Sequence, residues 1–139
     1  MKPVIALAGA ALVLGALSLG SAAPASSAPA QPLAGVVIAL DPGHQLGNSN
    51  PAHFDELAVT HFNGNQTKNC NTSGTATNSG YPEATFNWNV ARLVKDQLEA
   101  LGADVKMTRH SNSMRKWGPC VDERGRFGAK VGADLMLSI

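Results

Sequence analysis

The chain lacks any marked excess of charge, with eleven Lys and Arg against ten Asp and Glu in 139 residues. Without a basic surplus there is no electrostatic case for nucleic acid or for an anionic membrane surface as a partner. Cysteine is scarce as well. The two present, Cys70 and Cys120, offer no Cys-x-x-Cys spacing, which removes the usual thiolate zinc motifs. No cysteine follows the long apolar run near the start, and this argues against a lipid anchor there. That run, Val4 to Leu19, is preceded by Lys2 and followed by small residues. Candidate cleavage sites lie near Ala22-Ala23 and at Ala28-Pro29-Ala30, the layout of a secretory signal peptide. The run is too short and too rich in Gly and Ala to favour a stable membrane anchor; an uncleaved anchor is the alternative.

Residues 1–30 are therefore expected to be a signal peptide and flexible lead, and residues 31–139 one small domain around one core. Loss of residues 1–30 removes a single charge, Lys2, and leaves cations and anions balanced. The expected location is outside the cytoplasmic membrane: secreted, periplasmic or in the cell wall. Export together with an even cysteine count favours one disulfide, Cys70–Cys120. Closing that loop is worth about 4 kcal/mol on the chain-entropy account, less any strain. Two free thiols, or zinc ligation by one of them, are the alternatives.

What the sequence does contain is the stretch Asp41-Pro42-Gly43-His44 directly behind the apolar run Val36 to Leu40. A continuous apolar strand suggests burial on both faces. Its carboxyl end delivers an imidazole where ligands bind in open α/β sheets. Pro42 fixes φ and Gly43 permits a sharp reversal, so His44 stands on a stiff support and is a good zinc ligand. The competing reading is a plain loop histidine.

Residues 45–80 carry seven asparagines and no apolar periodicity, and loops of this length are commonly functional. Phe54, Leu57, Val59 and Phe62 could form a small hairpin or flap within it. A helix then opens at Pro82. Phe86, Val90, Leu93, Val94, Leu98 and Leu101 fall on one face, and Gly102 stops it. Ala103 to Thr108 reads as a second strand. Residues 119–131 read as a helix, with Gly125 and Gly128 allowing close packing, and Asp134 to Ile139 as a third strand. This order implies an α/β fold with a mostly parallel sheet and flanking helices. Helix starts and strand carboxyl ends then share one rim, so Glu83, at the start of the first long helix, could meet His44. The plain alternative for Glu83 is a carboxylate favoured by the helix dipole, worth about 0.3–1 kcal/mol.

The Asp-Pro-Gly-His turn, the helix-opening Glu83 followed by Asn87, Thr108-Arg109 after a strand, and the run from Arg124 to Ala133-Asp134-Leu135-Met136-Leu137-Ser138-Ile139 resemble the type 3 family of zinc-dependent N-acetylmuramoyl-L-alanine amidases. The likeness covers residues 35–139 and is nearest to the secreted actinobacterial branch. It implies an amidase/phosphorylase-hydrolase-like fold and cleavage of the amide between N-acetylmuramic acid and the L-alanine of the peptidoglycan stem peptide. It also implies a zinc cofactor, with His44 and Glu83 as the first two ligands.

The family's third ligand is a histidine directly after the Ser-Ile strand, and its catalytic glutamate lies further on, whereas this sequence ends at Ile139. The resemblance thus implies the N-terminal part of a catalytic domain, without the general base and incomplete at the C-terminus. His53, His61 and His110 are substitutes to consider for the third ligand, His61 first among them. Asp41 is expected either to act behind the metal-binding histidine or to cap the turn. Arg109 and Arg124 are expected to be structural. Peptidoglycan is the expected partner of a monomer. A non-catalytic cell-wall binding module of the same fold is the alternative function.

Overall fold

The structure is a computed structural model that describes residues 30–50, 52, 59–62 and 66–139. Residues 1–29 of the expected signal peptide and lead (1–30), and part of the expected flap at residues 53–58 and 63–65, lie outside the described residues. Among the described residues, no helix is long and apolar enough to cross a membrane.

The first strand, β1 (Val37–Asp41), is the centre of a three-stranded parallel sheet. On one side lies β4 (Asp104–Met107) and on the other β5 (Leu135–Ser138). Between β1 and β4 the chain forms a short 3-10 turn (Leu46–Ser49), an antiparallel hairpin of β2 (Val59–Phe62) and β3 (Gln66–Asn69), and the long helix α1 (Glu83–Ala100). The helix α2 (Val121–Lys130) connects β4 to β5.

Strand alternation sends Ile38 and Leu40 to one face, where they pack with Val105 and Met107 under Ala91, Trp88, Val94 and Leu98 of α1. Ala39 points to the other face, beneath α2, where Met136 approaches Gly128 so closely that a Cβ would stand 3.1 Å from its sulfur. The close packing foreseen for α2 is therefore made by Gly128; Gly125 faces open space. The both-face burial expected of β1 holds: Ala39 and Leu40 are fully buried.

One expectation needs correction. The buried face of α1 is Ala84, Asn87 and Ala91, while Phe86, Leu93 and Leu101 are exposed. Small residues let the helix sit close to the sheet, and Asn87 turns inward to donate to the Gly43 carbonyl at 3.4 Å. The third strand is unlike the first, since Leu135 and Leu137 are exposed on the same face as their register partners Ile38 and Leu40. As foreseen, α1 ends at Gly102, which takes the left-handed φ of +97°.

Candidate metal centre

At the carboxyl end of β1, alternation places Asp41 on the α2 face with Ala39. Its carboxylate accepts from Thr108 at the end of β4, from Nε and Nη2 of Arg124 on α2, and from Ser138 on β5. Burial pulls its pKa up, but these hydrogen bonds and the charge of Arg124 outweigh it and hold the carboxyl below its ordinary value of 3.8. Asp41 thus fastens three elements to the end of the central strand. It makes no hydrogen bond to His44, so orientation of the imidazole falls to another residue.

The turn that follows is built differently from its expected form. Gly43 keeps an ordinary φ, and its lack of a Cβ is what matters: one placed there would stand 2.7 Å from the Ile139 carbonyl and 2.8 Å from Asn87 Nδ2. The left-handed residue is His44 itself, at φ +58°. For a residue with a Cβ this conformation costs about 1–2 kcal/mol, so the surroundings must hold it.

What holds it is the segment Cys70–Thr75. His44 Nδ1 lies 2.9 Å from the Thr72 carbonyl and 3.2 Å from its hydroxyl. A carbonyl oxygen only accepts, so Nδ1 carries a proton, and a neutral ring in this tautomer has its lone pair on Nε2. Glu83, the first residue of α1, is fixed by the same segment. Its Oε2 accepts from the Thr75 N–H at 2.8 Å, and its own N–H donates to the Thr75 carbonyl at 2.8 Å. Gly74, at φ +79°, passes so near that a Cβ would stand 2.8 Å from both Glu83 Oε2 and His44 Cδ2. The segment is anchored in turn by the Cys70–Cys120 disulfide, by Asn71 Nδ2 donating to the Pro119 carbonyl, and by Asn48 Nδ2 donating to the Thr72 carbonyl.

His44 Nε2 and Glu83 Oε2 end 3.4 Å apart, with side chains 21% and 35% exposed. Both are acceptors when the imidazole is neutral. Two lone pairs aimed into one gap require a positive charge between them, either a proton on the ring or a cation, and the donor set of one imidazole and one carboxylate fits a divalent ion. Among the described residues, no group of three His, Cys, Asp or Glu converges. His110 is exposed and joins no such group. His53 and the side chain of His61 lie outside the described residues.

A cleft of about 250 Å³ opens beside Glu83, lined by Thr75, Ala76, Thr77, Tyr81, Glu83 and Phe86. A larger one, about 320 Å³, runs along α2 between Thr108 and Lys130 and contains neither His44 nor Glu83. The paired acceptors stand at the edge of the former, which Glu83 lines and His44 does not.

The profile of the Amidase_3 family, N-acetylmuramoyl-L-alanine amidase, matches residues 38–139. The chain belongs to this amidase family. An N-acetylmuramoyl-L-alanine amidase of Mycobacterium tuberculosis is 38% identical over 107 residues, covering 77% of this chain and 42% of that protein. The crystal structure of the apo form of an N-acetylmuramyl-L-alanine amidase from Mycobacterium abscessus superposes with a TM-score of 0.67 at 39% identity, over 76% of this chain and 47% of that one. One from Mycobacterium smegmatis gives 0.67 at 37% identity, over 76% and 46%. The chain therefore spans less than half the length of these relatives. The expected α/β amidase fold is the one observed.

Within this amidase family member, the sequence pointed to His44 and Glu83, and the fold brings them together. It did not point to Thr72, Gly74 or Thr75, which orient them. Their only signal was a glycine among small polar residues in a long loop.

Proposed function

We propose that His44 and Glu83 are two ligands of a zinc ion in a peptidoglycan hydrolase that cleaves the amide between N-acetylmuramic acid and L-alanine. The observation that carries this reading is the pair of facing acceptors 3.4 Å apart. Ligand atoms about 2.0–2.2 Å from a tetrahedral zinc ion stand about 3.4 Å from each other. The family membership supports the substrate class. Bound there, zinc supplies Lewis acidity toward the scissile carbonyl.

The chain's own residues prepare that site. Thr72 selects the imidazole tautomer with its free lone pair on Nε2, the arrangement expected of a metal-binding histidine. The Thr75 N–H holds one carboxylate oxygen of Glu83 in place. A residue following Ile139 would emerge beside His44, because the Ile139 carbonyl accepts from the Gly43 N–H at 2.9 Å. That is where the third ligand of the family is expected, with the general base further along. The signal-like residues 1–30 support export to a wall substrate.

Zinc titration of the full chain, by competition with a chromophoric chelator, tests the reading. His44→Ala and Glu83→Gln should each weaken zinc binding at least tenfold, and equal binding by all three proteins would overturn it. The alternative reading is a wall-binding module of the same fold without turnover. Wall fragments bound with no free stem peptide released would select it.

A further inference from the structure

Arg109 follows β4 and is only 4% exposed, yet it is no member of the metal pair. Its guanidinium makes five hydrogen bonds, all to carbonyl oxygens. Nε donates to Pro42 at 3.0 Å. Nη2 donates to Gly43 at 3.3 Å and to Ala84 at 2.8 Å. Nη1 donates to Ser111 at 2.9 Å and to the Asn112 side chain at 3.4 Å. The face of Trp88 lies 5.1 Å from the guanidinium carbon. Burial, with the neighbouring charge of Arg124, pulls its pKa down to about 10 against an opposing pull from Asp41, and it remains charged at neutral pH.

A buried cation is expensive unless its surroundings solvate it fully. Here the solvating groups are distributed in a telling way. Pro42 and Gly43 immediately precede His44, and Ala84 immediately follows Glu83. One planar, rigid group therefore joins the backbone beside one acceptor to the backbone beside the other. The body of α1 docks independently through Ala91, Val94 and Leu98. Without the guanidinium the helix would remain on the sheet, and the start of α1 would keep only the long 3.4 Å bond from Asn87 to the Gly43 carbonyl as a direct tie to the turn after β1.

We propose that Arg109 is a positioning residue for the metal pair, setting the separation of His44 and Glu83 by bridging the Pro42-Gly43 turn to the first turn of α1. This rests on the zinc reading above. Lysine keeps the charge but gathers its donors on one atom and cannot reproduce the fork.

The test compares the full-length native chain, Arg109→Lys, Val105→Ala as a core control, and His44→Ala. Each is measured for zinc affinity by chelator competition, for the visible spectrum of the bound cobalt(II) ion, and for the urea midpoint without metal. Arg109→Lys should bind zinc at least tenfold more weakly and shift the cobalt spectrum. Val105→Ala should lower the urea midpoint while leaving affinity within twofold and the spectrum unchanged. If Arg109→Lys matches Val105→Ala in affinity and spectrum, the proposal is overturned while the zinc reading stands. Equal zinc binding by His44→Ala and the native chain would overturn the zinc reading itself. Should Arg109→Lys fail to fold, Asn112→Ala, which removes one guanidinium acceptor and the tie to Thr85, should weaken zinc about threefold. No change in that variant would equally overturn the proposal.

Discussion

The two acceptors are held by two regions of opposite character. Beneath them lies a buried layer of Asp41, the Pro42-Gly43 turn and Arg109, from which Asp41 reaches out to half-buried Thr108 and Arg124 and to exposed Ser138. Over them passes an exposed segment, Thr72 to Thr75, held by the disulfide beside it, by Asn48 Nδ2 donating to the Thr72 carbonyl and by the bonds between Thr75 and Glu83. The buried layer fixes where the turn and the helix stand. The exposed segment fixes how the imidazole and the carboxylate point. A site need not be built from its hydrophobic core outward; here half of its geometry is set by a loop of small polar residues stapled at one end.

The largest expected effect that would break this division is removal of the staple. Replacing Cys70 and Cys120 by Ser should lower stability by about 2–5 kcal/mol, read from urea unfolding. If the exposed segment sets the pointing, zinc affinity should fall as well, even in conditions where the sheet remains folded. Gly74→Val comes next. Its Cβ would meet both acceptor side chains, and the left-handed φ adds about 1–2 kcal/mol of strain. Chelator competition should show zinc binding weakened about tenfold or more, with little change in the far-ultraviolet circular dichroism.

The buried layer is sharpened by pH. The folded-state pKa of Asp41 is depressed, so the stability it contributes is present above its unfolded value of about 3.9 and is lost as pH falls through the lower folded value. Urea midpoints should therefore decline from about pH 4 downward, and Asp41→Asn should flatten that decline. The smallest effect is expected from Thr72→Ala. It removes the hydroxyl at 3.2 Å but leaves the carbonyl at 2.9 Å, so zinc affinity should change by less than about threefold.

The succession of strands and helices along the chain was legible because it depends on local periodicity: a run of aliphatics for β1, a helical pattern closed by Gly102. The pairing of His44 with Glu83 was legible for a related reason, since parallel strands bring strand ends and helix starts to one rim. The buried face of α1 was not, because counting apolar side chains rewards Phe86 and Leu93 and overlooks how closely Ala84 and Ala91 let the helix approach. Nor was the strain at His44 in view, since a Gly beside a His draws the left-handed assignment to the glycine. The partners of Asp41 come from residues 67 to 97 positions away, and the backbone oxygens that Arg109 bridges from 25 to 67 positions away, beyond any spacing rule.

Thr72, Pro42, Gly43 and Ala84 each contribute a main-chain oxygen to this assembly. Every amino acid supplies that atom, so an exchange of side chains at these four positions cannot delete it. The scaffold behind the two acceptors is thus written in the path of the polypeptide more than in its alphabet. Sequences that diverge at Thr72 can still cradle the same pair, provided the loop keeps its course, whereas Gly43 and Ala84 must also stay small for the close approaches around them.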